Sequence, residues 1–206
     1  AQYERDGFLV LPDVLSPDEV ATLQAGVERA FAKHCPEADL YGMQEIWRPK
    51  MFEQGPEFEA LIDHPNIIDL IEKILGGNCH LIANSALRTF PGKTITFWHV
   101  DDEVRFPRPA DVPWDPRIPT PTLNINLNYY LCDVNEELGP TEFIPGSHRS
   151  GRHPAPGDYD ANGVPSYNGQ QVFKACGKAG SAVLWNDQIW HQGGPNTSDG
   201  RIRWVI

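Results

Sequence analysis

From Cys79 onwards, the sequence consists of short apolar runs separated by turns rich in glycine and proline. This pattern constrains the fold more than any other feature of the sequence. The runs lack the spacing of an amphipathic helix. Many short strands separated by glycine- and proline-containing turns are typical of a barrel or a double-sheet jelly roll. Together with the helical patterns before Cys79, they predict a mainly β protein with an α layer. The predicted strands cover residues 80–90, 94–99, 122–131, 141–144, 171–174, 181–185, 189–191 and 203–206.

The N-terminal part combines one short apolar run, Phe8–Leu11, with helical periodicity. Ser16 is a candidate N-cap, because proline follows it directly and Glu19 lies three positions after it. Together these residues indicate a helix start with a capping box. The helix should end near Pro36, because proline disfavours helix in the residue before it. A second helix is predicted over 65–75, and 41–55 fits neither pattern. The predicted organisation is a single domain over 1–206, with a helical front layer over 1–78 and a β core over 79–206.

Composition excludes several classes of partner. The net charge of −11 argues against nucleic acid and against an anionic membrane surface. It is compatible with a neutral or cationic small substrate, although such a balance more often only keeps a protein soluble. No apolar run is long enough to span a membrane, and the first residues do not resemble a signal peptide. The four cysteines are dispersed, which predicts reduced thiols and a cytoplasmic protein. The chain starts without Met and stops inside a predicted strand, which is typical of a piece of a longer protein.

His99 and Asp101 are the first candidate metal ligands. In an extended segment, alternate side chains point to the same face, so these two converge while Val100 points away. An imidazole and a carboxylate form two-thirds of a facial metal site, which a second histidine usually completes. The triplet alone is a weak signal, because ordinary residue usage produces it by chance in many chains.

His191 is the favoured third ligand among the six remaining histidines. It ends an aromatic run and leads into the glycine-rich stretch 192–196, as a strand running into a turn would. The others fit ordinary surface, core or turn positions better. They are His34, His64, His80, His148 and His153.

Two arginines follow the same turn. If residues 189–191 and 203–206 form a hairpin, then Arg201 or Arg203 shares a pocket with His191. Arginine binds carboxylates through two parallel hydrogen bonds, so this pairing indicates an organic acid held beside a metal. The alternative is that both arginines are solvated on an edge strand.

Three asparagines alternate along the predicted strand 122–131. Asn124, Asn126 and Asn128 should therefore share one face, which is either solvated or turned inward beside a ligand. The inward position is favoured more for Asn126 and Asn128 than for Asn124.

A long proline-rich connection over 105–121 follows the histidine–aspartate pair directly. Connections of this length in compact domains are usually functional loops or disordered segments. Its position directly after the histidine–aspartate pair favours an active-site lid over an ordinary surface loop.

Taken together, these motifs resemble the phytanoyl-CoA dioxygenase (PhyH) family of iron(II)/2-oxoglutarate oxygenases. The similarity includes the pair His99 and Asp101, His191 with its glycine-rich turn, and an arginine about ten residues later. It extends to DGFLVL at 6–11 and LSPDEV at 15–20, which resemble the N-terminal strand and helix of the family. The most specific match is LCDVNEELGP at 131–140 with IPGSHR at 144–149.

The resemblance implies a double-stranded β-helix that holds Fe(II) through His99, Asp101 and His191. It also implies that an arginine binds the distal carboxylate of 2-oxoglutarate, with Arg203 favoured over Arg201. Asn128 falls where relatives line the 2-oxoglutarate pocket. The implied reaction uses O2 and releases CO2 and succinate, with hydroxylation of an unactivated C–H bond of a small natural product or amino-acid-like molecule as the default outcome.

Two other functions fit the same sequence features. A cupin-like protein could hold zinc or nickel without oxygenase activity, although a structural metal has no need of a carboxylate-binding arginine. An acyl-CoA hydroxylase would need cationic groups for the CoA phosphates, for which Arg105, Arg108 and Arg117 are candidates.

Overall fold

A computed structural model describes residues 2–93, 97–109, 111–113, 115, 117 and 121–206. The helices in these residues are α1 (Gln2–Asp6), α2 (Pro17–Phe31), α3 (Pro36–Leu40), α4 (Pro56–Glu59) and α5 (Ile68–Leu75). The strands are β1 (Phe8–Leu11), β2 (Trp47–Pro49), β3 (Ser85–Thr89), β4 (Ile125–Tyr129), β5 (Thr141–Phe143), β6 (Phe173–Lys174), β7 (Ala182–Asn186), β8 (His191–Gly193) and β9 (Arg203–Val205).

The strands form three antiparallel sheets of three strands each. Their orders are β1-β7-β4, β2-β3-β9 and β6-β5-β8. Within the described residues the sheets do not close into a barrel. The architecture is therefore antiparallel β, and the helices α1 to α5 all lie before β3 in the sequence.

Strand β7 is the centre of the first sheet. All five of its residues are buried, and it pairs with β1 on one side and β4 on the other. Strands buried on both faces are mostly apolar, and four of the five residues of β7 are apolar. In its pairing with β4, Trp185 lies opposite Asn126. Directly opposed residues point to the same face, so these two side chains lie together.

Helix α2 begins as the sequence predicts. The Ser16 side chain accepts a hydrogen bond from the Glu19 amide, and the Glu19 carboxylate accepts one from the Ser16 amide at 2.7 Å. This capping box satisfies two amides that otherwise lack a partner in a first helical turn. The apolar face of the helix packs on the core that includes the buried face of β7.

The ends of the two predicted helices differ from expectation. Helix α2 ends at Phe31 rather than near Pro36, where a separate short helix, α3, begins. The second helix covers Ile68–Leu75 rather than 65–75, because a tight turn at its start takes up the first residues. The unassigned stretch 41–55 contains β2 and a turn of 3-10 helix.

The predicted hairpin of β8 with β9 is wrong. Strand β8 pairs with β5, whereas β9 pairs with β3 in another sheet. The connection turns around Asn196, whose side-chain amide donates to the carbonyls of Thr89 and Arg201, both at 2.9 Å. Because these bonds tie the turn to the end of β3, the chain crosses between sheets instead of folding back on itself.

Two other predictions fall partly on residues that the structure does not describe. The predicted strand 94–99 lies outside the described residues at 94–96, and among 97–99 only His99 makes a strand-like bridge, to His191. The proposed lid 105–121 is described only in part and stays a prediction. Among the described residues, no helix has the length and apolar character needed to cross a bilayer.

Candidate metal centre

A pair of backbone hydrogen bonds brings the two favoured histidines together. The His99 amide donates to the His191 carbonyl and the His191 amide donates to the His99 carbonyl, both at 3.0 Å. Asp101 is fixed two residues later, where its amide donates to the Asp187 carbonyl at 3.0 Å. The segment before Asp101 is thus attached to the residues around β8, although these lie about ninety positions later in the sequence.

His99, Asp101 and His191 form a compact group of ligand atoms. One potential ligand atom from each lies within 4.8 Å of the others. His99 Nε2 lies 3.6 Å from Asp101 Oδ1, and His191 Nε2 lies 3.2 Å from Asp101 Oδ2. In the part of the chain that the structure describes, this is the one group of at least three His, Cys, Asp or Glu residues placed so closely.

The two imidazole rings are oriented for metal binding. His99 Nδ1 lies 2.9 Å from the carbonyl of Phe97, and His191 Nδ1 lies 2.9 Å from that of Ile189. A carbonyl can only accept, so each Nδ1 carries the proton and each Nε2 presents a lone pair. Such second-sphere bonds are the usual way in which proteins fix the tautomer of a metal-binding histidine.

Asp101 is held by two further side chains. Asn126 Nδ2 and Trp185 Nε1 both donate to Asp101 Oδ2, at 2.7 and 3.1 Å. Burial by itself would raise the pKa of this carboxyl, but the hydrogen bonds donated by Trp185 and Asn126 favour its ionised form, and the pKa lies below its usual range. The carboxylate is therefore ionised and fixed in orientation.

These residues meet the requirements of a metal of the iron type. Two neutral imidazole nitrogens and one carboxylate oxygen are the donor set of facial sites that leave positions open. Lone pairs of two imidazoles facing a carboxylate repel it, and a shared cation removes that repulsion. Trp185 was not predicted from the sequence, because its role depends on the strand pairing that places it opposite Asn126.

A cavity of about 630 Å³ opens beside the triad. Strands β3, β4 and β9 contribute to its walls, and so do segments from the N-terminal part. Asn126 and Asn128 both line it, which supports the inward interpretation of this strand face. Asn124 is not among its lining residues.

Arg203 lines this cavity as a buried cation, and among the described residues it has no acidic partner. Its side chain is only 8% exposed, and Nη2 donates to Thr89 Oγ1 at 3.2 Å. Among the described residues, Nε and Nη1 have no hydrogen-bond partner. Burial lowers the pKa of the guanidinium below its ordinary value, although arginine remains charged at any physiological pH. A buried charge without a counterion is costly, so this position favours an anionic ligand.

Arg201 lies elsewhere. Its Nη2 pairs with Glu137 Oε2 at 2.8 Å, with half of the side chain exposed. Arg201 and Arg203 do not share a strand face, because the strand begins only at Arg203 and the preceding residues belong to the turn around Asn196. The two arginines are thus separated by structure: one lines the cavity and one lies at the surface.

The other described histidines lie outside the triad. His64 Nε2 lies 3.1 Å from Glu19 Oε1, and His34 Nδ1 lies 2.6 Å from Gln44 Nε2. His148 is buried, and its ring packs against the backbone of Gly7. His80 and His153 likewise do not belong to the ligand group.

Comparison with known proteins agrees with this site. The sequence profile of the family described as phytanoyl-CoA dioxygenase (PhyH) matches residues 3–204. A dioxygenase of Aspergillus terreus is 26% identical over 95% of this chain and 66% of its own length. An ectoine dioxygenase of Bordetella parapertussis is 28% identical over 95% of this chain and 69% of its own length. The chain thus spans about two thirds of the length of these relatives.

A solved structure shares the fold. HygX from Streptomyces hygroscopicus, crystallised with nickel and 2-oxoglutarate bound, superposes with a TM-score of 0.71 at 16% identity, covering 98% of this chain and 81% of HygX. Fold and site together define the class of non-haem iron, 2-oxoglutarate-dependent dioxygenases. Within that class, the chain belongs to the phytanoyl-CoA dioxygenase (PhyH) family, as the sequence motifs predicted.

Proposed function

We propose that this chain is an iron(II)/2-oxoglutarate-dependent dioxygenase that hydroxylates an unactivated C–H bond of a small molecule, with CO2 and succinate as co-products. The observation that carries the proposal is the buried Arg203 guanidinium, which lines the same cavity as the triad and, within the described part of the chain, lacks an acidic partner. A metal site and a carboxylate-binding arginine in one cavity fit a keto-diacid bound by both.

The proposal assigns a role to each cavity residue. His99, Asp101 and His191 would hold Fe(II), and Arg203 would bind the distal carboxylate of 2-oxoglutarate. Asn128 would line the 2-oxoglutarate pocket. Arg201 has no role in binding, because it is paired at the surface.

The residues of the chain prepare the site for an oxidative reaction. When bound, iron and 2-oxoglutarate would supply the oxidative chemistry, with one oxygen atom of O2 going to the substrate and the other to succinate. Asn126 and Trp185 orient the Asp101 carboxylate, and the carbonyls of Phe97 and Ile189 orient the imidazoles. The apolar side chains in the cavity walls would help a bound substrate to displace water, which would protect the reactive site from side reactions.

The proposal includes the finer architecture. Strands β3 to β9 would form a double-stranded β-helix core over 79–206, within a single oxygenase domain over 1–206. Residues 1–78 would form a front layer that adds β1 and β2 to two of the sheets. The connection 105–121 would act as the lid. Four free cysteines support a reducing, cytoplasmic location.

The two alternative functions are less well supported. A structural zinc or nickel site would leave the buried charge of Arg203 unexplained. An acyl-CoA substrate would need free cations, but Arg105 pairs with Asp187 and Arg117 pairs with Asp115, at 3.1 and 2.6 Å. These ion pairs neutralise two of the three arginines that could form a phosphate-binding patch.

Succinate release tests the proposed activity. Protein reconstituted with Fe(II) should consume 2-oxoglutarate and O2 and release succinate, slowly without substrate and faster with a molecule that fits the cavity. His191→Ala should abolish succinate release, and Arg201→Ala should not change it. Wild-type protein that binds Fe(II) but releases no succinate across a broad panel of small molecules would contradict the proposal.

A further inference from the structure

We infer that the substrate is an apolar molecule that carries no positive charge, rather than an amino-acid-like zwitterion or an amine. The inference rests on the proposed function and specifies the substrate class of the same cavity. It is drawn from the charges and apolar side chains that line the cavity.

The cavity offers no counterion to a cationic substrate. Among the described residues that line it, Asp101 is the only carboxylate, and that carboxylate belongs to the metal triad. The residues outside the described ranges contain no Asp or Glu, so they cannot supply one either. An ammonium group without a partner in such a cavity loses its hydration and gains nothing in return.

The charged groups other than Asp101 that line the cavity are the basic side chains of Arg88, Lys93 and Arg203. Arg203 is assigned to 2-oxoglutarate. Arg88 donates to the Glu45 carbonyl and stacks over the ring of Phe31, 4.3 Å from its centroid. These cations disfavour a further positive charge, because like charges in a space of low dielectric constant repel strongly.

One wall of the cavity, formed by residues of the N-terminal part together with Leu81, is apolar. Ile62 and Leu81 line the cavity and are 41% and 49% exposed, so they lie where it meets solvent. Exposed apolar side chains that cluster at a groove are typical of ligand- or partner-binding sites. The other large apolar side chains of this wall are Met43, Ile46, Trp47 and Leu61.

The size of the cavity agrees with this class. Pockets that hold a drug-sized molecule have volumes of roughly 300–1,000 Å³. The cavity measures about 630 Å³, which accommodates 2-oxoglutarate together with a compact apolar molecule. Such a substrate would be held mainly by burial of its apolar surface.

A matched pair of ligands tests the inference. Adamantanol and adamantanamine have the same apolar cage, but only the amine is charged at neutral pH. Their binding is measured by calorimetry on protein loaded with Ni(II) and 2-oxoglutarate, in which no turnover occurs. The alcohol should bind at least ~10-fold more tightly than the amine, because burying an unpaired charge is costly. Equal or tighter binding of the amine, or no detectable binding of the alcohol, would overturn the inference.

Two neighbouring substitutions locate the binding site. Leu81→Asp places a carboxylate in the cavity wall, so it should weaken binding of the alcohol and strengthen binding of the amine. Ile82→Asp is the matched control, because Ile82 is 77% exposed and does not line the cavity. It should leave both affinities unchanged, and identical effects of the two variants would contradict this placement.

The same titrations separate the inference from the proposed function. If Ni(II) and 2-oxoglutarate fail to bind, the proposed function is wrong. If both bind and the ligand preference is reversed, only the substrate class is wrong.

Discussion

At the scale of single residues, the two oxygens of Asp101 have different surroundings. Oδ2 accepts hydrogen bonds from Asn126 and Trp185. Oδ1 accepts neither of these bonds and lies 3.6 Å from His99 Nε2. Because two N–H groups occupy Oδ2, Oδ1 is the oxygen better placed to bind a metal. The two donors therefore position the ligand rather than take part in the reaction.

Trp185→Phe should weaken metal binding while the ring keeps its place in the core. Loss of a hydrogen bond to a metal ligand typically lowers metal affinity by roughly 10–100-fold. Calorimetric titration with Ni(II) measures the effect. Trp190→Phe is the control, because it also deletes an indole N–H, which here donates to the Arg152 carbonyl. A loss of affinity in the control as large as in Trp185→Phe would show that Trp185 has no specific role.

Arg203→Met should lower the affinity for 2-oxoglutarate without preventing metal binding. Hydrogen bonds to charged groups contribute about 1.5–3 kcal/mol, which predicts a loss of roughly 10–100-fold. Equilibrium titration of Ni(II)-loaded protein with 2-oxoglutarate measures it. Arg201→Met should retain wild-type affinity, and the assignment is wrong if the two variants exchange these results.

At the scale of elements, Arg48 connects helix α2 to strand β2. Its guanidinium is buried and donates to five backbone carbonyls. Three of these acceptors, Ala30, Phe31 and Lys33, lie at the end of α2, where helical carbonyls lack partners. This cap could not be predicted, because one arginine in an unassigned stretch does not reveal which carbonyls it contacts.

Arg48→Met should destabilise the protein, since it leaves several buried carbonyls without donors. The expected loss of unfolding free energy is roughly 2–4 kcal/mol, typical of breaking a buried network. Urea denaturation measures it. Arg5→Met removes an exposed ion pair with Asp6 and should change stability by less than about 0.5 kcal/mol. A difference between the two variants of less than about 1 kcal/mol would contradict this role for Arg48.

The strands show where sequence reasoning succeeds and where it fails. Strand β1 matches its prediction, because its apolar run is local information. The pairing of β8 with β5 depends instead on contacts between distant segments. One of these is the backbone of Gly139, where a Cβ would lie 2.3 Å from the carbonyl oxygen of Gly194. No periodicity in the sequence encodes such an approach.

At the scale of the whole molecule, His148 makes stability depend on pH. Burial lowers its pKa to about 4, and the charge of Arg149 adds to the effect. In the unfolded chain its pKa is about 6.5, so the unfolded state binds the proton more tightly. Stability therefore falls as pH decreases from about 6.5 to 4.

His148→Gln should remove this dependence, since glutamine does not titrate. Between pH 7 and 4, wild-type protein should lose ~3 kcal/mol more unfolding free energy than the variant. Urea denaturation over this pH range measures the difference. Parallel pH profiles for the two proteins would show that His148 is not buried in its neutral form.

Much of the site was predicted from sequence, and the reasons for this are physical. The alternation of His99 and Asp101 requires only a locally extended backbone, and the choice of His191 rested on the turn that follows it. The structure brings these three residues together. Trp185 and the separation of Arg201 from Arg203 could not be predicted, because both depend on strand pairing and on the turn around Asn196.

The central claim is that three side chains and one arginine bind a ferrous ion and 2-oxoglutarate together. Anaerobic addition of Fe(II) and 2-oxoglutarate tests it most directly, through the weak visible charge-transfer band of their chelate. Wild-type protein should develop the band at one iron per chain. His191→Ala should not develop it, and Arg203→Met should require far more 2-oxoglutarate to do so. Absence of the band in folded wild-type protein at saturating 2-oxoglutarate would contradict the account.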